Sequence, residues 1–297
     1  MKVTQKTIEG LSSLSVLVPS STVELYLKEL LGVSSSALKK LSLPKNFLNK
    51  ILKRGDTLDL SLDLLNLGMI FPEYHGPAMQ ILFEDQNLLA IDKASGVHCH
   101  PLSYLENDNC LSFLRSIRDD QILQVNNRNY DRGLLYRLDF ETSGVLIYLK
   151  KDELYQGMRS EFSSIAKEKI YHCVVRGHFN REGKHVHLLW STGERGHKIS
   201  CSPASGTVQK KDAQKGELSV RLLKYNKEKN ESLLEVTLYT GLRHQIRVQL
   251  ANLGFPLLGD ELYGGEKAER LCLHAHSYKI EWRDLRYELK SPSPFHF

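Results

Sequence analysis

The sequence predicts an α+β protein built round a largely antiparallel sheet. Short apolar runs of strand length outnumber helical patterns and rarely alternate with them, which disfavours a doubly wound parallel fold. The chain has 297 residues, about twice the usual single-domain length, so one large and one small domain are expected. Its 41% apolar and 25% charged residues, with 9 prolines and 20 glycines, exclude a disordered, collagen-like or low-complexity chain.

Residues 12–65 read as a small helical unit. Ser21 with Glu24 three places on is a capping-box pattern, followed by Val23, Leu27, Leu30 and Leu31 at helical spacing. Gly32 stops that helix, and Ser34-Ser35-Ser36 can cap a second one carrying Leu38 and Leu41 before Pro44. Gly55-Asp56 signals a turn, and Leu58, Leu60 and Leu62 alternate as in a strand. Phe71 to Pro77, with two prolines and a glycine, reads as a linker, dividing the chain into 1–75 and 76–297.

From Gln80 onward strands dominate: Ile81–Phe83, Leu88–Ile91 and Val145–Leu149. Val220–Leu223 and a run through Leu233, Val236 and Leu238 flank Lys227-Glu228-Lys229-Asn230, a hairpin with a charged tip. Leu154, Met158, Phe162 and Ile165 mark one helix. Ile246, Leu250 and Leu253 mark another, ended by Gly254 with Pro256 beyond.

Forty Lys and Arg against 35 Asp and Glu leave +5, a mild surplus that permits a nucleic-acid partner without requiring one. No apolar run approaches the ~18 residues of a membrane span, and the polar residues Met1–Gly10 lack a signal-peptide core, so no membrane partner and a cytoplasmic location are expected. Five scattered cysteines with no C-x-x-C pair read as reduced and structural. Lys151-Asp152-Glu153-Leu154 is a retention signal only at a C-terminus, and the sequon Asn230-Glu231-Ser232 matters only in a secreted chain.

Nucleotide-cradling G-x-x-x-x-G-K and G-x-G-x-x-G patterns and a G-x-S-x-G elbow are missing from the sequence. His98-x-His100, His185-x-His187 and His274-x-His276 each set two imidazoles on one strand face. Twelve histidines produce such pairs by chance, and with no matching carboxylate pattern no metal is assigned.

Two segments concentrate reactive side chains. Tyr136-Arg137-Leu138-Asp139-Phe140-Glu141-Thr142-Ser143-Gly144 is a polar loop between apolar runs, where function gathers. Its aspartate suits a nucleophile or general base kept ionised by Arg137, and equally suits a turn cap. In Thr240-Gly241-Leu242-Arg243-His244-Gln245-Ile246-Arg247 two arginines lie one turn apart at a helix start, against its dipole. An anion such as a phosphate, or Asp139 itself, would relieve that; a solvated basic face is the competing reading.

Together these segments resemble the RluA family of pseudouridine synthases, and the resemblance extends over residues 80–297. Ile81 to Lys93 and Gly96-Val97-His98 to Pro101 are similar to its opening strands. Arg137-Leu138-Asp139 with Thr142-Ser143-Gly144 resembles its catalytic motif. Lys169-Ile170-Tyr171 before Val174-Val175-Arg176-Gly177 resembles the segment of its active-site tyrosine. His244-Gln245-Ile246-Arg247, Leu253-Gly254, Leu258-Gly259-Asp260 and Tyr263-Gly264-Gly265 resemble its arginine motif, and Leu273-His274-Ala275 its closing strand.

The resemblance implies a mixed, mainly antiparallel central sheet with a catalytic cleft. It implies conversion of uridine to pseudouridine in RNA by a monomer without cofactor or metal. Asp139, Tyr171 and Arg247 would be catalytic, with Asp139 attacking the sugar or assisting cleavage of the glycosidic bond. Arg137 would fill the space left by the flipped uridine, and Arg243, His244 and Gln245 would contact RNA. Tyr136 stands where the family often has histidine, Ala94-Ser95 where it has Pro-Ala, and Leu242 where it has arginine.

The front unit resembles a degenerate alpha-L RNA-binding module through Leu25–Leu31, Ser34–Leu41 and Gly55–Leu58, with Ser35 and Ser36 where arginines usually stand. Residues 1–80 hold nine Lys and Arg against seven Asp and Glu, thin for phosphate binding. That module favours ribosomal RNA as substrate; transfer RNA, or a non-catalytic RNA-binding role, are the alternatives.

Overall fold

The computed structural model describes residues 5–8, 11–15, 21–29, 38, 43–61, 70, 73–102, 106–117, 121–126, 129, 131–193, 198–205, 210 and 212–297. The chain divides into two compact units, Met1–Pro77 with His98–Gly133, and Ala78–Val97 with Leu134–Phe297. The stretch 98–133 thus groups with the front of the chain and interrupts the second unit's sequence.

In the first unit β1 (Gln5–Ile8), β2 (Leu11–Ser15), and later β5 (Thr57–Ser61), form an antiparallel sheet in the order β1-β2-β5, and β3 (Ser21–Thr22) pairs with β4 (Ile51–Leu52). A helix over Val23–Glu29 buries Val23, Tyr26 and Leu27, as its spacing requires. Its cap corrects the capping-box expectation by one residue. The Leu25 N–H donates to the Thr22 hydroxyl (3.2 Å), while Glu24 pairs forward with Lys28 at 2.5 Å. The expected second helix over 34–42 lies, Leu38 apart, outside the described residues.

Within the expected linker, Tyr74 donates to the Pro77 carbonyl and sets its ring edge-on to Phe113. Phe113 belongs to a helix the sequence reading missed, Cys110–Ile117. Asn109 caps it by accepting the N–H groups of Leu111 (3.1 Å) and Ser112 (3.0 Å).

The second unit is one ten-stranded sheet of β6 (Gln80–Glu84), β7 (Leu88–Lys93), β8 (Ser143–Leu149), β9 (Ala166–Arg176), β10 (Gly183–Thr192), β11 (Lys198–Pro203), β12 (Gln214–Asn226), β13 (Glu231–Leu238), β14 (Leu273–Trp282) and β15 (Leu285–Lys290). Its order is β11-β10-β12-β13-β9-β14-β8-β7-β6, with β15 also on β14. Every pairing is antiparallel except β8 with β14, so the sheet is mixed and mainly antiparallel as expected. All seven residues of β8 are buried, the mark of a strand covered on both faces. The β12–β13 hairpin turns at 227–230 with Asn230 in the left-handed region.

β14 joins the two halves of this sheet. Ser143 and Gly144 face His274 and Ala275, and Ala275 also faces Tyr171 on β9. Gly144 has φ +111°, and a Cβ there would lie 2.2 Å from the Ala275 carbonyl oxygen, so only glycine permits the approach. The row Gly144–Ala275–Tyr171 sets Tyr171 about 10 Å across the sheet from the strand that follows Asp139.

Candidate active site

The loop carrying Asp139 is tethered by its carbonyl oxygens. Lys93, fully buried, donates from Nζ to the carbonyls of Ala94 (2.9 Å), Phe140 (3.0 Å) and Thr142 (2.8 Å). Ser95 Oγ donates to the Glu141 carbonyl at 2.6 Å, and the Gly96 and Val97 N–H groups also donate to Phe140. Loop carbonyls satisfied by a neighbouring strand end make a rigid mount from a segment with no ladder of its own. Arg137 and Phe140 are exposed on its outer side.

Opposite lies the helix Gln245–Asn252, ended at Gly254 as the sequence predicts. Gln245, expected to contact RNA, is buried. Its amide accepts from the Thr240 hydroxyl (2.8 Å) and the Leu242 N–H (3.1 Å) and donates to the Glu217 carbonyl (3.1 Å). These bonds tie the helix start to β12. Arg243 is exposed. His244, at φ 52°, keeps a side chain only 14% exposed, with Nε2 3.9 Å from Asp139 Oδ2.

Arg247 points at three carboxylates. The expected partner, Asp139, stands 3.6 Å from Nη1 and Glu141 3.5 Å. The tight partner is Asp260, which accepts from Nε and Nη2 at 2.8 Å each in a bidentate pair. A guanidinium carries five N–H donors, so a buried one needs more than one acceptor. Burial opposes its charge, but Asp260, Asp139 and Glu141 outweigh that and raise its pKa above the ordinary arginine value.

Tyr171 projects from β9 and is buried, its hydroxyl bonded to that of Tyr278. Burial, with a contribution from the Asp139 charge, drives its pKa well above the ordinary phenol, so the ring is neutral at physiological pH. Tyr278 stacks on Tyr136 (4.5 Å) and Tyr136 on Phe162 (4.9 Å), a ladder behind Tyr171. Tyr136, the departure from histidine, anchors that ladder by donating to the Val145 carbonyl at 2.7 Å.

The structure therefore gathers Asp139, Arg247, His244 and the Tyr171 ring on one unit, with Arg137 and Arg243 exposed on it. No motif marks Lys93, Glu141, Asp260, Tyr263 or Tyr278 as partners of these residues. Of the histidine pairs, His187 bonds Asn252 and Gln249, His274 bonds Ser143, and His276 bonds the Ser291 carbonyl. Among the described residues no group of three or more ligating side chains converges on a metal position.

The sequence profile of the RNA pseudouridylate synthase family matches residues 87–252, more than half of the chain. The chain is 30% identical over 203 residues to the ribosomal large subunit pseudouridine synthase D of Borreliella burgdorferi, covering 68% of this chain and 60% of that protein. It is 28% identical over 220 residues to the dual-specificity RNA pseudouridine synthase RluA of Vibrio parahaemolyticus, covering 70% and 80% respectively. Its fold is similar to that of the human RNA pseudouridylate synthase domain containing 1, with TM-score 0.60, 20% identity, and 74% and 85% of the two chains covered.

Proposed function

This chain belongs to the RNA pseudouridylate synthase family, and from that premise we propose that it converts particular uridines of structured RNA, ribosomal RNA foremost, to pseudouridine. The observation that carries the reading is the convergence on Asp139, with the Arg247 guanidinium 3.6 Å away and itself fixed by Asp260. A carboxylate on a rigid loop beside a locked, permanent cation is oriented before substrate arrives.

In this reading the uridine leaves its stack at a cost of a few kcal/mol, and Arg137 occupies the gap. Asp139 attacks the sugar or assists departure of uracil. The C1′–N1 bond breaks, the base turns and C5 bonds to C1′, releasing any bond from Asp139 to the sugar; the C5 proton passes to solvent as N1 takes one up, so composition is unchanged. Tyr171, neutral and backed by the aromatic ladder, offers its ring to the detached uracil, while Arg247 keeps Asp139 in register. Arg243 contacts the RNA backbone, and Gln245 acts from beneath as a positioning residue. The acting species is a cytoplasmic monomer, and ribosomal RNA is preferred on the resemblance of the front unit to an RNA-binding module.

Incubating ribosomal and transfer RNA with the full chain and with Asp139→Ala, then mapping pseudouridine, tests this. New pseudouridines with the wild type alone, in ribosomal RNA, are expected. Identical maps overturn the enzyme reading, and modification confined to transfer RNA overturns the target.

A further inference from the structure

The geometry points to a tautomer lock: the Tyr263 hydroxyl fixes His244 so that a neutral imidazole presents its Nε2–H to Asp139, making His244 a positioning residue for the isomerisation. This rests on the reading of Asp139 as the reacting carboxylate.

A phenol has one proton to donate and lone pairs to accept with. The Ile199 N–H donates to the Tyr263 oxygen at 3.0 Å. His244 Nδ1 lies 2.8 Å from the same oxygen. When the phenol donates its proton to Nδ1, every group at that oxygen is satisfied and Nδ1 is the bare nitrogen of the ring. The ring proton then sits on Nε2, 3.9 Å from Asp139 Oδ2. The opposite tautomer would direct two donors at the phenol oxygen, leave the phenol proton without that acceptor, and set the Nε2 lone pair against a carboxylate.

The neutral ring is the relevant state. Burial weighs most and lowers the His244 pKa, Arg247 and Arg243 lower it further, and Asp139 and Glu141 oppose them. Which nitrogen holds the proton is then set by the other nitrogen's hydrogen bond.

One short helical turn, Glu261–Tyr263, supplies both supports. Asp260 at its start grips Arg247, and Tyr263 at its end grips His244, with the Tyr263 N–H donating to the Asp260 carbonyl at 3.1 Å. Arg247 also lies over the Tyr263 ring, 5.5 Å from its centre. His244 and Arg247 approach the same oxygen, Asp139 Oδ2. The left-handed backbone at His244, uncommon away from glycine, lets the imidazole and the guanidinium reach it together.

Long-range proton–nitrogen spectra of the full chain labelled at histidine nitrogens read the tautomer directly, with His244→Gln assigning the signal. A neutral Nε2–H form is expected at pH 7, changing to a mixture or to Nδ1–H in Tyr263→Phe. In RNA assays His244→Ala and Tyr263→Phe each lower kcat roughly tenfold to a hundredfold with KM unchanged. His244→Gln, whose amide can restore a donor near Nε2, recovers part of the loss, and Tyr263→Phe costs nothing more once His244 is alanine. A wild-type Nδ1–H or charged ring at pH 7, a spectrum indifferent to Tyr263→Phe, or additive losses would overturn the lock. If the wild type modifies no RNA, the functional reading fails while the spectra still decide the tautomer. If His244→Ala does not fold, the spectrum of Tyr263→Phe decides alone.

Discussion

Replacing Asp260 by asparagine removes the tight partner of Arg247 without changing side-chain shape. Both groups are out of solvent, with side chains 0% and 5% exposed, and two 2.8 Å bonds join them. The asparagine oxygen can keep one bond, but its amide turns a second donor toward the guanidinium. Stranding one member of a buried pair costs about 3–5 kcal/mol. Asp139 at 3.6 Å and Glu141 at 3.5 Å remain to compensate Arg247, so the low end, about 3 kcal/mol, is expected. In a unit of about 180 residues that lowers Tm by roughly 6–12 °C.

The guanidinium then leans on Asp139 and Glu141, so kcat falls as well. Glu141→Gln becomes more damaging in the Asp260→Asn background than alone, by about 1 kcal/mol. Urea unfolding of the four proteins at pH 7, with single-turnover rates on RNA, measures all of this. Asp260→Asn within about 0.5 kcal/mol of wild type, or a strictly additive double variant, refutes the three-carboxylate account.

Lys93→Met deprives three loop and strand carbonyls of a shared charged donor, so a loss of about 2–3 kcal/mol in urea and a lower kcat at unchanged KM are expected. Gly144→Ala puts a Cβ into the Ala275 carbonyl at a strained φ; loss of more than about 4 kcal/mol is expected, read as soluble yield and circular dichroism. Burial holds the His172 and His274 pKa values down at about 4 against 6.5. The unfolded chain takes up those protons first, so their contribution is complete above pH 6.5 and drains away as pH falls toward 4. Each histidine accounts for about 2 kcal/mol between pH 7 and pH 5, and His274→Gln should flatten the urea-midpoint profile by that amount.

The parts of the molecule legible in its sequence are those whose signal is local. The β12–β13 hairpin announces itself by alternating apolar residues round a charged tip, and the helix after His244 by Gly254 and Pro256. β10 and β11 escaped because Lys184-His185-Val186-His187 and Lys198-Ile199-Ser200-Cys201 mix polar and apolar residues on half-exposed strands. The helix at Cys110 was hidden by its brevity, although Asn109 was a readable cap. Asp139, Tyr171 and Arg247 stand in recognisable motifs. Their supports do not: Tyr171 meets Tyr278 107 residues away and Lys93 meets Thr142 49 away, partnerships that exist only once the sheet closes. The burial of Gln245 was not legible because a polar residue in a basic motif carries no mark of which way it faces.

The position of β14 has a consequence for how the protein is made. β6, β7 and β8 hold the Asp139 loop, and β9 to β13 hold Tyr171 and lead into the Arg247 helix. The strand that zips these halves together follows all three residues in the chain. A growing chain can carry every chemical group of the centre and still have no centre, since Ser143 and His274, 131 positions apart, must be looped together before the two touch. Such a long closure slows folding, and it also times it: the Asp139 carboxylate is set beside the Arg247 cation only once β14 has joined the sheet.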